Sequence, residues 1–513
     1  MYLIGMDLGT TTIKGLVFTT DGQIVASASR PTPTHFHGTE IADFYPEEFW
    51  VEVQAVLRQL ALACPQPATI RGIAFSSFGE AGVALDAQGT PLAPAIAWFD
   101  QRVLEVVDAW RGTVDELEVF RTTGMRISHL PSLAKILWEK RHRPDVFRRT
   151  RTWLFMPSYI LFRLTGACRA DYSLASRSLL FDVRRRTWSE RMCDLAGIPM
   201  EILPPVAPSG TAVGTIRPQV AAALGLGSDV TVSLGGHDHL CGALSAGIRQ
   251  RGQLLNSSGT ADALFALIDP AQIDDRFFRA GVSCGCHVVD GQTYLLSGAH
   301  AAGRMIDWVL ENFYAEPSTP RDRLYVAMME RASTAPIGSN GVIVVPHLRG
   351  CLTPHNDPLS KGAILGLRST HTLNDITRAL FEGLSLDVLA IVDTYSKLTG
   401  DPYPVLKYIG GGSRNSFWIQ MKADVLERRI RVSTIGENAS QGAALLAGMG
   451  CGLYRDADEA CAAVSADEIE FVPNPANSAR YREIYERVYR NLHRQMVAIN
   501  QDLESLQKHL SRE

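Results

Sequence analysis

No Gly-Lys dipeptide occurs anywhere in the 513 residues, and no Gly-x-Gly-x-x-Gly follows a strand-like run. The first absence excludes a Walker-type phosphate loop, the second a dinucleotide-binding turn. Charge of one sign is not in excess either. Fifty Lys and Arg face 54 Asp and Glu, which gives no reason to expect nucleic acid or a membrane surface as a partner. No apolar run reaches membrane-spanning length, and the N-terminus enters a strand at once, without a basic leader followed by a long apolar stretch. Cysteine is sparse, with nine scattered residues and no paired zinc-type spacing, a pattern that suits a reducing compartment and predicts a cytoplasmic protein. The one close cluster, Cys284-Gly-Cys286-His287, has no second ligand pair and reads as structural. No low-complexity linker interrupts the chain, so a domain break near residues 247–253 must be short.

What is present is a pair of glycine-rich turns, each closing an apolar strand and each carrying one aspartate. Met6-Asp-Leu-Gly-Thr-Thr-Thr-Ile-Lys14 is the first, and Ser233-Leu-Gly-Gly-His-Asp238 the second. Glycine admits close approach of the backbone to a bulky anion, and small hydroxyl residues add donors. Two such aspartates delivered to one cleft describe a phosphoryl-transfer site. The opening strands form a meander, Tyr2 to Met6, Ile13 to Phe18 and Gln23 to Ser29, with Asp21-Gly22 as a hairpin turn. A similar meander restarts at Gly252 to Asn256, turns at Ser257-Ser258-Gly259-Thr260 and continues through Ala261 to Ile268. The Gly9-Thr10 and Gly259-Thr260 pairs lie about half a chain apart, which predicts a duplicated α/β domain with the halves at 1–249 and 250–513 and a ligand cleft between them. The length also calls for two large domains.

Several blocks in this order resemble the FGGY family of carbohydrate kinases, within the actin–hexokinase–Hsp70 superfamily. They are Gly5-Met-Asp-Leu-Gly-Thr-Thr11, Ala95-Ile-Ala-Trp-Phe-Asp-Gln-Arg102, Leu164-Thr-Gly166 with Asp171-Tyr-Ser173, Gly235-Gly-His-Asp238, Ser258-Gly-Thr260, Arg378-Ala-Leu-Phe-Glu-Gly383 and Gly410-Gly-Gly-Ser-Arg-Asn415. The resemblance spans about Met1 to Gly452. It implies two ribonuclease-H-like, actin-like ATPase domains around a cleft, and ATP and Mg²⁺ as cofactors. By the same resemblance Asp7 would coordinate Mg²⁺ through water, with Gly9, Thr10 and Thr11 near the terminal phosphates and Lys14 neutralising phosphate charge. Gly259 and Thr260 would form a second phosphate turn. Gly410, Gly411 and Gly412 would lie against adenosine, and Asn415 would reach its base or ribose. Asp238 would be the general base, and it also precedes a helical run that it can cap.

The acceptor side is expected at Trp98, Asp100 and Arg102, an aromatic–acid–base group suited to a polyol, together with His237, Phe78 and Glu80. Ser77-Phe78-Gly79-Glu80 departs from the family's glycerol-kinase and xylulose-kinase patterns, and His237 before the base resembles the fuculose-kinase branch. The expected activity is phosphorylation of a ketose or polyol of about five or six carbons, with dimers expected by family analogy alone. A tetritol or signal-type carbohydrate is an alternative acceptor. An actin- or chaperone-like ATPase module without a sugar acceptor is the alternative from another class.

Overall fold

Strand-forming residues at the N-terminus are buried on both faces from Leu3 to Met6, which places Tyr2–Leu8 inside a sheet rather than at its edge. In this computed structural model, which describes residues 1–38, 41–259, 262–299, 302–314, 319–464 and 467–510, that strand lies within a seven-stranded sheet. Thr12–Thr19 and Ile24–Pro31 continue from it as an antiparallel meander. On its other side runs Ile70–Ser77, parallel to it, then Thr231–Ser233 and Ala212–Thr215. The short strand Gly236–His237 also pairs with Ile70–Ser77 in parallel. Pro46–Ala63 is a helix, started by a proline in its first turn with Glu47 and Glu48 at its positive end, and it buries Phe49, Val53, Val56, Leu57 and Leu60.

The second half repeats this order. Leu254–Ser258 pairs antiparallel with Asp262–Ile268, which pairs antiparallel with Thr293–Ala299. Val405–Gly410 lies parallel to Leu254–Ser258, and Arg429–Ser433 parallel to that. A three-strand meander followed by two parallel strands therefore occurs twice, the ribonuclease-H-like arrangement expected from the sequence. The long helix Leu373–Thr399 packs against the second sheet and ends at Gly400, whose φ of +80° closes the helix in the left-handed region. The terminal helical segment is interrupted by a π turn at Tyr485–Tyr489 before the helix Arg490–Leu510.

Two helices join the halves. Asp238–Ser245 belongs to the first half, and Asn438–Gly450 to the second by sequence. Yet the latter lies on Tyr2–Leu8 and Ile70–Ser77 of the first sheet. Gly5 makes that seating possible, since a Cβ there would overlap the Ser440 carbonyl oxygen. The two helices cross at Gly442, where a side chain would collide with the Cys241 carbonyl. Ser245 at the end of one helix bonds to Asn438 and Gln441 of the other. All nine cysteines are free, and Cys284, Cys286 and His287 are buried within the fold, as their structural reading requires. Among the described residues no helix is long and apolar enough to cross a membrane.

Candidate active site

Asp7 and Asp238 meet because both flank the end of one strand. Asp7 pairs in register with Ser76, and Gly236 pairs with Ser76 from the opposite side, so Asp238 emerges beside the Asp7 carboxylate. Gly235 permits this, because a Cβ there would overlap the Phe75 carbonyl. The site thus lies at the carboxyl ends of parallel strands, where open α/β sheets place their ligands. The Ser76 hydroxyl donates to Asp7 Oδ1 at 3.1 Å. Burial, then the facing Asp238 charge, push the Asp7 carboxyl up to about 7, with Glu437 adding to the rise and Ser76 and Lys14 opposing it.

Asp238 goes the other way. Burial works against its charge too, but the His239 ring, the His239 backbone amide and Arg177 together hold it below the usual carboxylate range. The His239 amide donates to Asp238 Oδ1 at 2.6 Å, and His237 Nδ1 lies 3.1 Å from the same oxygen. Burial keeps the His237 ring neutral, well below its ordinary pKa. The Ser173 hydroxyl accepts a hydrogen bond from the His237 backbone amide at 3.0 Å and so fixes the approach to Asp238.

The turn Gly9 to Thr12 is closed by the Gly9 amide donating to the Thr12 carbonyl at 3.1 Å, with Thr10 half-buried and Thr11 exposed. Lys14, read as a phosphate partner, is ion-paired with Glu437, the residue that precedes the Asn438–Gly450 helix. In the second half Ser258 lies beside Gly410 in register, and Gly410 (φ +95°) approaches it so closely that a Cβ would overlap the Ser258 carbonyl. Gly412 touches Ser258 as well, while Gly411 and Gly259 face open space. Thr260 lies outside the described residues. Ile409 abuts Gly242, one helical turn beyond Asp238, which brings the second sheet's glycine turn toward the first half's aspartates.

Other expected residues have different work. Asn415 is buried as the cap of the Ser416–Leu426 helix. Its Oδ1 accepts from the Trp418 amide at 3.0 Å and its Nδ2 donates to the Tyr325 hydroxyl at 2.9 Å, so its amide is spent inside the protein rather than offered to a nucleotide. Phe78 is a core residue, stacked on Phe44 at 5.1 Å between ring centroids. Asp100 is fully buried and accepts from the Ala42 amide at 2.7 Å, the Arg102 amide at 2.8 Å and Arg102 Nε at 2.9 Å. Arg102 also pairs with Asp43 at 3.0 Å. The Asp100–Arg102 pair is therefore a fastening of the loop, correcting its expected place against a sugar. Trp98 lies against the first glycine turn, with its indole N–H donating to Thr10 Oγ1 at 2.9 Å.

Glu80 is buried at a φ of +72° and ion-paired with Arg177, a residue that sequence reasoning missed. Gly79, between Phe78 and Glu80, lies against both His237 and Arg177. Lys135 was missed as well. It is buried under this loop and donates to the carbonyls of Trp98 at 3.0 Å and of His129 and Leu130 at 2.6 Å. Arg177 follows the Asp171-Tyr-Ser173 block and Glu437 precedes a small-residue helix, but neither carries a motif of its own.

Models of the FGGY family of carbohydrate kinases match residues 2–245 with the N-terminal domain and 254–451 with the C-terminal domain. The chain belongs to the FGGY family. It is 29% identical over 510 residues to the xylulose kinase of Bacillus subtilis, covering 99% of each chain. It is 28% identical over 481 residues to the L-fuculokinase of Escherichia coli K12, covering 92% of this chain and 97% of that one. The crystal structure of xylulose kinase from Rhodospirillum rubrum superimposes with a TM-score of 0.89 at 27% identity, covering 98% of this chain and 100% of the other. The protein is a carbohydrate kinase that transfers phosphate from ATP to a sugar hydroxyl. That membership sets aside the ATPase-module reading.

Proposed function

We propose that this kinase acts on a ketose of five or six carbons, with Asp238 as the base for the acceptor hydroxyl and Asp7 as the residue that holds Mg²⁺. The observation that carries the reading is the pair of carboxylates brought together with their proton affinities pushed apart, the arrangement that assigns separate roles to two acids in one site. Asp238 is ionised and Oδ1 is held by the His239 amide, which leaves Oδ2 to take the acceptor proton. Such a carboxylate is a weak base beside an alkoxide. Proton transfer is therefore late, and positioning with charge neutralisation supplies most of the acceleration.

The donor set suits magnesium, since Asp7, Asp238 and Glu437 offer oxygen only. Among the described residues no three His, Cys, Asp or Glu side chains form a ready-made metal cage. An ion with one carboxylate contact and the rest of its shell from phosphates and water fits that arrangement. Bound there, Mg²⁺ would neutralise phosphate charge, with Asp7 as the carboxylate that holds it. Gly9 to Thr11 and Gly259 approach the phosphates, and Gly410 to Gly412 lie along the nucleoside. The acceptor lies against Trp98 with the Glu80–Arg177 pair beside it. The xylulose kinase and L-fuculokinase names of the relatives support a ketose. A domain break at 249/250, a cytoplasmic setting and a homodimer complete the reading.

The test is ATP-to-ADP turnover with Mg²⁺ across ketopentoses, deoxyketohexoses and polyols against a blank without sugar. One strongly stimulating ketose is the expected result. Stimulation by a tetritol alone, or turnover that ignores every ketose, would overturn the acceptor assignment.

A further inference from the structure

Beneath the second pair of glycine turns lies a lysine with no contact to solvent. Lys422, on the Ser416–Leu426 helix, is fully buried and donates to Asp262 Oδ2 at 2.7 Å, Asn256 Oδ1 at 3.2 Å and the Tyr408 hydroxyl at 3.2 Å. Its ammonium also sits 4.2 Å from the Trp418 ring centroid and 4.8 Å from that of Tyr408. The three oxygen partners come from three neighbouring strands. Asn256 lies on Leu254–Ser258 and Asp262 on the returning arm of the same hairpin, where it faces Ser258 in register. Tyr408 lies two residues before Gly410, on the strand that leads into the triple glycine, and faces Asn256.

One ammonium therefore fastens both arms of the Ser258–Asp262 hairpin to the strand carrying Gly410–Gly412. The fastening reaches the turns directly, because a Cβ on Gly412 would stand 2.6 Å from the Tyr408 hydroxyl and 2.7 Å from Ser258 Oγ. Stability alone is a poor reason for such a group. An apolar side chain could fill the same helix face without the desolvation cost of two buried ions. Glycine turns, by contrast, are free to wander and must be ordered before they bind, and a fixed turn lowers that cost.

We propose that Lys422 is a positioning residue for the nucleotide, holding the Ser258–Gly259 and Gly410–Gly412 turns at the separation that ATP requires. The proposal rests on the nucleotide lying over these turns. Lys422 also cancels the Asp262 charge, which would otherwise stand buried and unpaired beneath the phosphates.

The experiment compares wild type, Lys422→Met and the charge-balanced Lys422→Met/Asp262→Asn by calorimetric titration with Mg-ADP, alongside separate KM values for ATP and for the sugar. Lys422→Met is expected to weaken Mg-ADP binding by about tenfold or more and to raise KM for ATP similarly, with KM for the sugar within about twofold. The double variant is expected to regain part of the affinity, because its buried charge is balanced while the fastening is not restored. The double variant also serves if Lys422→Met does not fold. Mg-ADP affinity equal to wild type in the folded variants, or both KM values rising together, would overturn the role of Lys422 and leave the kinase reading intact. Failure of the wild type itself to bind Mg-ADP would instead refute the placement of the nucleotide, and this proposal with it.

Discussion

Replacing Asp7 by Asn should make the ligand-free protein more stable while destroying its activity. In the wild type the folded state holds the Asp7 proton more tightly than the unfolded chain, with a pKa of about 7 against 3.8. The associated stability is fully present below about pH 3.8 and is lost as pH rises through about 7. A rise of about three units at ~1.36 kcal/mol each sets a ceiling of about 4 kcal/mol on that loss. Part of that rise comes from the Asp238 charge, so the loss belongs to the pair and lies below that ceiling for Asp7 alone. Asn removes the charge and keeps an oxygen to accept from Ser76. Thermal melts of both proteins from about pH 4 to 8 should therefore show a gap that opens with pH, near zero at the acid end and several degrees in favour of Asp7→Asn at the other. Mg-ATP should raise the melting temperature of the wild type more than that of the variant. A variant that is less stable at every pH, or a gap that does not change with pH, would refute the electrostatic account of Asp7.

Three further outcomes follow from the geometry. Asp238→Asn should lower kcat by about 10²- to 10⁴-fold with Mg-ADP affinity retained, and near-normal turnover would remove Asp238 as the base. Asp100→Ala should cost about 1–3 kcal/mol of stability by leaving the Ala42 amide without its acceptor and Arg102 with Asp43 in place of two carboxylates, measured by thermal or urea unfolding. A selective rise in KM for the sugar at unchanged stability would instead return Asp100 to the acceptor pocket. Gly442→Ala should cost about 1–3 kcal/mol, because the added methyl must push the Asn438–Gly450 helix away from Cys241, and an unchanged melting temperature would refute that crossing.

The loop at residues 77–80 shows why some positions of the proposed site can be read from sequence and others cannot. Asp7 with Gly9 to Thr11, Asp238, and Ser258 with Gly259 each sit where an apolar strand breaks into a small-residue turn. Strand periodicity and turn chemistry are local properties, so these positions announce themselves. Residues 77–80 also announce a loop, but residue type there does not say which side chain points inward. Phe78 goes into the core against Phe44, while Glu80 turns back to meet Arg177, 97 residues away. Asp100 had the right chemistry for a sugar hydroxyl and was taken by the Ala42 amide and Arg102 instead. Asn415 was likewise taken by the helix that it caps.

By itself the sequence determined the repeated meander, the glycine turns that close it and the two aspartates they carry, because each depends on neighbours within a few residues. Only the tertiary structure decided that Glu437 would reach Lys14 across 423 residues, that a helix from the second half would lie on the first sheet, and that Lys422 would end beneath the Ser258 and Gly410 turns. Those contacts depend on how two sheets and two crossing helices are stacked. Stacking is set by the summed packing of side chains from the whole chain, which no local pattern records.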